Sequence, residues 1–194
     1  MNPQRLAKPL GTQLIIFTPY LNGEINFLLQ DRDAIYEILE LHEQERLIAN
    51  DGVYSVFGGL LEPDETPKAG AYREMLEELN IDLYHPKLYG VGDIWNYGIT
   101  IEPTFRAKNI EGALHFSSID TIYNFLVGVY DLERFNSKVV VGEGRGAEWM
   151  SLSEIEALDI NLTHFPRDYE LRMISPTLKD LFRYAHKDLT DYLL

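Results

Sequence analysis

Apolar and polar positions along the chain change their period several times, and each change marks an element. Residues 12–20, TQLIIFTPY, are rich in β-branched and aromatic side chains, Asn22-Gly23 is a strong two-residue hairpin turn, and residues 25–30 resume the strand. Residues 33–48 set Ile35, Ile38, Leu39, His42 and Arg46 at mixed helical spacing, which predicts a helix or a helical insertion. Asp51-Gly52 then turns the chain into a short strand over 53–57 that runs straight into Gly58-Gly59. Thr66-Pro67 reads as a helix start, a side-chain cap followed by a residue pre-set for the first turn, and 68–79 holds no further breaker except Gly70. A helix of about three turns is expected there.

Beyond that helix, residues 88–97 read as a strand, 102–118 as an irregular region facing the substrate, and 121–132 as a central strand. Residues 139–141 and 148–150 flank a glycine-rich turn, and Ser153 with Glu156 matches a capping box that opens a short helix. Ser175-Pro176 starts a last helix with Leu178, Leu181, Phe182, Ala185, Leu189 and Tyr192 on one face, destined for the core or for a second subunit. No repeat, linker or low-complexity tract divides the chain, so 1–194 is expected to form a single α/β domain with a mixed β-sheet between helices.

The candidate chemistry lies on the helix over 68–79. Residues three and four apart share a face, so Glu74, Glu77 and Glu78 stand together while Ala71, Met75 and Leu79 form an apolar stripe on another side. Three neighbouring carboxylates repel one another and need compensation. Arg73 is placed to tie down Glu77 four residues on and to reach Glu65 in the preceding loop, bidentately where the geometry allows. The remaining negative charge suits a hard divalent cation such as Mg2+, which prefers carboxylate oxygen, water and phosphate to nitrogen or sulfur.

Residues 59–81 present Gly59, Glu65, Arg73, Glu74, Glu77, Glu78 and Ile81 in the pattern G-x5-E-x7-R-E-U-x-E-E-x-G-U, where U is apolar. This stretch resembles the signature of the Nudix hydrolases at every position but one, Asn80, where the family has glycine. Asn is the next-best residue for a left-handed helix cap, so the exchange removes no ligand. The resemblance implies a Nudix-type α/β/α sandwich and a Mg2+ or Mn2+ cofactor. It implies Glu74 and Glu78 as principal metal ligands, Glu77 as a shared ligand or outer acceptor, the Gly59 carbonyl as a further ligand, and Arg73 with Glu65 orienting the cluster. A second segment, from Glu143 to Leu152, resembles the E-G-x-x-x-E-W-M-S-L run of MutT-type members, in which the first Glu binds metal or helps activate water. Glu143 or Glu74 is then the candidate general base.

Further positions bear on substrate. Arg32 ends the second strand where many Nudix enzymes carry a phosphate-contacting arginine. Tyr97 lies sixteen residues beyond Ile81, a spacing that resembles dinucleoside-polyphosphate hydrolases, and Trp95 alternates onto the same strand face, where the two either stack on a base or are buried. Phe165-Pro166 resembles the pair that precedes a purine-contacting residue in MutT-like proteins, which points to Tyr169.

Composition narrows the partners. The net charge of −14 disfavours a nonspecific nucleic-acid binder, while a small nucleotide is still held locally by metal and a few cations. The chain has no cysteine, which excludes thiolate chemistry and the isopentenyl-diphosphate isomerases that share the fold. No uninterrupted apolar run has the length of a membrane span, and no signal peptide is evident at Met1, so a cytoplasmic protein with no membrane partner is expected. The expected function is divalent-metal-dependent cleavage of a pyrophosphate linkage in a nucleoside diphosphate joined to another group. The substrate is then a nucleoside triphosphate, a damaged nucleotide, a nucleotide sugar or a dinucleoside polyphosphate. The alternative is a catalytically silent nucleotide-sensing module, and a homodimer is an open expectation.

Overall fold

The computed structural model describes residues 9–31, 35–39, 44–48, 53–103, 108–110, 113–115, 119–142, 146–160 and 173–193. Strand β1 (Pro9–Leu21) turns back through Asn22 (φ 56°) and Gly23 (φ 76°) into β2 (Glu24–Asp31), with Phe17 opposite Phe27. Two positive φ angles give the turn a twist that matches the strands, which is why Asn-Gly is found there.

Residues 33–48 depart from the helix expected of them. They hold β3 (Ile35–Leu39) and β4 (Gln44–Ile48), an antiparallel pair in which Ile35 faces Ile48 and Glu37 faces Arg46 in register. The mixed spacing never builds a continuous helical stripe, and three isoleucines and a tyrosine within 35–48 favour extended backbone. The chain continues through β5 (Val53–Ser55), β6 (Phe57–Leu60) and helix α1 (Pro67–Leu79). A short 3-10 turn (Pro86–Tyr89) then precedes β7 (Val91–Pro103). Within the region expected to be irregular, β8 (Lys108–Ile110) and β9 (Ala113–His115) pair as a small hairpin.

Strand β10 (Ile119–Val129) ends three residues earlier than the pattern suggested, because Asp131 caps a helix, α2 (Leu132–Lys138), by accepting from the Arg134 N–H at 3.0 Å. Strand β11 (Gly146–Ser151) leads into α3 (Leu152–Ala157), whose capping box uses Ser151 and Glu154, two residues before the expected pair. Both pairs have the required spacing, but buried Met150 and Ser151 still belong to the strand, so the helix begins at Leu152. Strands β12 (Asp159–Ile160) and β13 (Met173–Ile174) precede α4 (Pro176–Leu193).

The main sheet has the order β12-β13-β5-β2-β1-β10-β7, with β11 also on β2 and β6 also on β1. Strand β1 is antiparallel to β2 and β6 and parallel to β10, so the sheet is mixed. Alternation along β1 divides the core: Leu14 and Ile16 face Ala71, Met75 and Leu79 of α1 and Phe135 of α2, whereas Ile15 and Phe17 face Ile155 of α3 and Phe182, Ala185 and Leu189 of α4. Helices cover both faces, which makes the α/β/α sandwich. The apolar stripe of α4 is spent on its own sheet, although Tyr192, expected on that stripe, is largely exposed. Among the described residues no helix is long and apolar enough to cross a membrane.

Candidate active site on the first helix

Helix α1 is held at both ends as its sequence requires. The Thr66 hydroxyl accepts from the Ala69 N–H at 3.2 Å, and Pro67 occupies the first turn. At the other end Asn80 adopts φ 57°, ψ 32°, its N–H donates to the Leu76 carbonyl at 3.0 Å, and the Ile81 N–H donates to Met75 at 3.2 Å. The asparagine therefore performs the left-handed cap that glycine usually fills.

Arg73 organises the carboxylates. Its Nε and Nη2 donate to the two oxygens of Glu65 at 3.0 Å each, a bidentate pair. Nη1 donates to Glu74 at 2.7 Å and Glu77 at 2.9 Å, and Nη2 also donates to the Leu60 carbonyl at 2.9 Å. All five guanidinium protons are thus engaged. The Arg73 hydrogen bonds hold the Glu65 carboxyl below the usual carboxylate range. In return Glu65, then Glu74 and Glu77, raise Arg73 above its ordinary value against the opposing effect of burial.

The helix face does not treat its three glutamates alike. Glu74 and Glu78 are buried at 8% and 4% exposure, while the Glu77 side chain is 56% exposed. Glu78 accepts from the Gly58 N–H at 2.7 Å, with Gln30 donating at 3.4 Å. A Cβ on Gly59 would lie 2.4 Å from Glu74 Oε1, so glycine is what lets β6 approach that carboxylate. Gly58, Gln30 and Leu60 are site residues that the sequence pattern did not indicate. Gln30 sits 48 residues from Glu78 and carried no local signal.

Three carboxylates, Glu65, Glu74 and Glu77, share the guanidinium of Arg73, and Glu78 stands beside them on the Gly58 N–H. Glu74 and Glu78 are buried, and burying a carboxylate is costly unless it is paired and hydrogen-bonded. Among the described residues no three His, Asp or Glu side chains form a ready cage for a metal ion. The donor set still fits Mg2+ or Mn2+: it is all oxygen, and Mg2+ commonly takes only one or two carboxylates and keeps several waters.

Of the other expected positions, only Trp95 and Tyr97 belong to the described residues. Arg32, Glu143 and Tyr169 lie outside the described residues. The chain leading to Glu143 is nevertheless fastened to α1, since the Val140 N–H donates to Leu79 O at 3.1 Å and the Gly142 N–H to Glu78 O at 2.7 Å. Trp95 and Tyr97 do share a face, but it is the α4 face, opposite α1. Trp95 stacks on Phe17 with centroids 5.9 Å apart, and the Tyr97 hydroxyl donates to Asp188 at 2.7 Å. Burial and then this carboxylate push the Tyr97 phenol well above its usual pKa. Trp149 is a core aromatic, edge-on to Phe135 at 5.9 Å, and Glu148 accepts from the Tyr54 hydroxyl at 3.0 Å.

Comparison with known proteins agrees with this architecture. The NUDIX domain family matches residues 25–169, well over half of the chain. A MutT-like protein of Streptomyces ambofaciens is 36% identical over 90 residues, 44% of this chain and 58% of that protein, so the chain spans a little over half the length of that relative. Among solved structures, a binary complex of the C. elegans Ap4A hydrolase superposes with a TM-score of 0.55 at 16% identity, over 93% of this chain and 97% of the other. The E. coli dihydroneopterin triphosphate pyrophosphohydrolase does so with a TM-score of 0.52 at 15% identity, over 85% and 90%. At such identities the structures speak for the fold, whereas the extent of the family match speaks for descent: the chain belongs to the NUDIX family, that of the Nudix hydrolases.

Proposed function

We propose that this chain is a divalent-metal-dependent hydrolase that cleaves a pyrophosphate linkage in a nucleoside diphosphate joined to another group. The observation that supports this most directly is the Arg73 network. It holds Glu65, Glu74 and Glu77 around one guanidinium beside the buried Glu78, where the glycines of β6 lie against α1. Glu74, Glu78 and the Gly59 carbonyl would hold Mg2+ or Mn2+, with Glu77 as a shared ligand or outer acceptor. What the cation supplies when bound is neutralisation of phosphate charge.

The remaining work falls to the chain itself. Arg73 and Glu65 orient the acidic cluster, and Glu74 or Glu143 accepts the proton of the attacking water. The hydrogen bonds of Val140 and Gly142 to the end of α1 favour Glu143 for that role. Arg32 contacts phosphate, and Trp95, Tyr97 and Tyr169 contact the nucleoside. The partner is a small nucleotide rather than nucleic acid, and the enzyme acts in the cytoplasm as one domain spanning 1–194. Ap4A and dihydroneopterin triphosphate, named for the two structural neighbours, join nucleoside triphosphates, damaged nucleotides and nucleotide sugars as substrate classes to test.

The test is product chromatography on that panel with Mg2+ or Mn2+, comparing wild type with Glu78→Gln. Metal-dependent turnover that falls by at least a hundredfold in the variant is expected. No turnover across the panel, with nucleotide binding unchanged by the substitution, would replace this reading with a nucleotide-sensing module.

A further inference from the structure

Strand β1 carries one polar side chain into the layer beneath α1. Leu14 and Ile16 belong to the α1 face of the core, and Thr12, earlier in the same alternation, shares that face. Its neighbours agree. Thr12 stands opposite Gly59 of β6 and beside Tyr123 of β10, just as Leu14 stands between Phe57 and Phe125, which pack against α1. Thr12 is 1% exposed, and its Oγ1 is buried with no hydrogen-bond partner among the described residues. A buried hydroxyl left unpaired is destabilising, and native structures hold few of them, so this one calls for a partner.

Across from it lies Glu74. A Cβ built on Gly59 would be 2.4 Å from Glu74 Oε1 and 2.9 Å from Oε2. Side chains directly opposite in an antiparallel pair have Cβ atoms about 4.5–5.5 Å apart, which puts the Thr12 hydroxyl about 4–6 Å from that carboxylate. The span is too long for a direct hydrogen bond and suits one bridging water. Solvent comes close, because Tyr123, beside Thr12, lines an open groove of about 460 Å3 with Pro67, Lys68 and Asn96 at the start of α1. Arg73 holds Glu74 Oε1 from the helix at 2.7 Å, and a donor on β1 fixes the same carboxylate from the sheet.

We infer that Thr12 is a positioning residue of the acidic cluster: its hydroxyl donates to a water that in turn donates to Glu74, and so orients that carboxylate for the cation. The inference rests on the pyrophosphate-hydrolase reading for the cation, whereas the contact with Glu74 stands apart from it. Outer partners of a metal-ligating carboxylate set its orientation, and the loss of one lowers metal affinity about ten- to a hundredfold.

The test compares the full wild-type chain with Thr12→Val, which keeps the shape and removes the hydroxyl, and with Thr12→Ser, which keeps the hydroxyl. Tm is measured by circular dichroism without divalent ion, and Mn2+ affinity by electron paramagnetic resonance. Thr12→Val is expected to lower Tm by roughly 2–4 °C, the loss of one hydrogen bond, and to weaken Mn2+ binding about tenfold or more. Thr12→Ser keeps the wild-type affinity. Beside Glu74→Gln the Tm loss from Thr12→Val shrinks, because groups in one network do not add. A hydroxyl that is merely buried and unpaired gives the opposite sign, since valine relieves it and raises Tm. A raised Tm, an unchanged Mn2+ affinity in folded Thr12→Val, a Thr12→Ser as weak as Thr12→Val, or an undiminished loss beside Glu74→Gln would each overturn the inference. Should Thr12→Val not fold, Thr12→Ala carries the affinity comparison. Mn2+ binding and turnover that ignore Thr12→Val remove this inference and leave the hydrolase reading; no Mn2+ binding and no turnover, with the Tm loss and its dependence on Glu74 intact, retire the hydrolase reading and keep the contact.

Discussion

Replacing Arg73 by Met keeps an unbranched stem and removes five donated hydrogen bonds. Their weights differ. The arm to Glu77 reaches a carboxylate that is 56% exposed and contributes little, as exposed pairs do. The bidentate arm to Glu65 and the arm to Glu74 engage carboxylates that are each 11% exposed, but Arg73 itself is 22% exposed, so solvent reduces the effect of both. Allowing about 1 kcal/mol for the Glu65 arm and about 1–2 kcal/mol for leaving Glu74 buried beside Gly59 without its partner, the loss is about 2–3 kcal/mol. For a domain of this size that is a fall in Tm of roughly 4–12 °C.

The pH dependence follows from the Glu65 carboxyl, which Arg73 holds below its ordinary value of 4.5. As pH falls below 4.5 the unfolded chain takes up this proton before the folded one, so the stability due to the pair declines. It is gone once pH passes the depressed folded value. The Tm difference between wild type and Arg73→Met should therefore be constant above about pH 5.5 and shrink as the solution is acidified below 4.5. Thermal melts followed by circular dichroism, without divalent metal, measure both. A difference under about 0.5 kcal/mol near neutral pH, or one that grows on acidification, would refute the assignment of Arg73 as the organiser of the cluster.

Two further perturbations test local geometry. Gly59→Ala places a methyl 2.4 Å from Glu74 Oε1 and must displace that carboxylate, so it should cost about 1–3 kcal/mol and weaken the thermal stabilisation produced by added Mg2+; a denaturant titration with and without the ion shows both. Ser151→Ala should cost about 1 kcal/mol by removing the α3 cap, whereas Ser153→Ala should stay within about 0.5 kcal/mol, and urea midpoints distinguish the two.

The features legible in the sequence are those set by neighbours along the chain. Thr66-Pro67 and Asn80 bound α1 because capping depends on residues within a turn of the helix end, and Asn22-Gly23 makes its hairpin because φ is a local property. Helical spacing likewise placed Glu74, Glu77 and Glu78 together and set Arg73 one turn from Glu77. Local pattern failed where two conformations suit the same residues. Residues 33–48 have enough helical spacing to suggest a helix, yet pair as β3 and β4, and the S-x-x-E spacing occurs twice at α3 with only strand β11 deciding which serine caps. Tertiary structure alone decided what depends on contacts between distant segments. Glu74 and Glu78 are buried and Glu77 is not because β6 approaches one side of α1, an approach that glycine at 59 permits. Gln30 and the Gly58 N–H meet Glu78, Trp95 and Tyr97 end beneath α4 rather than beside the carboxylates, and Thr12 comes opposite Gly59 through strand register. Register and burial arise from packing whole elements together, and no window of sequence contains both partners of such a contact.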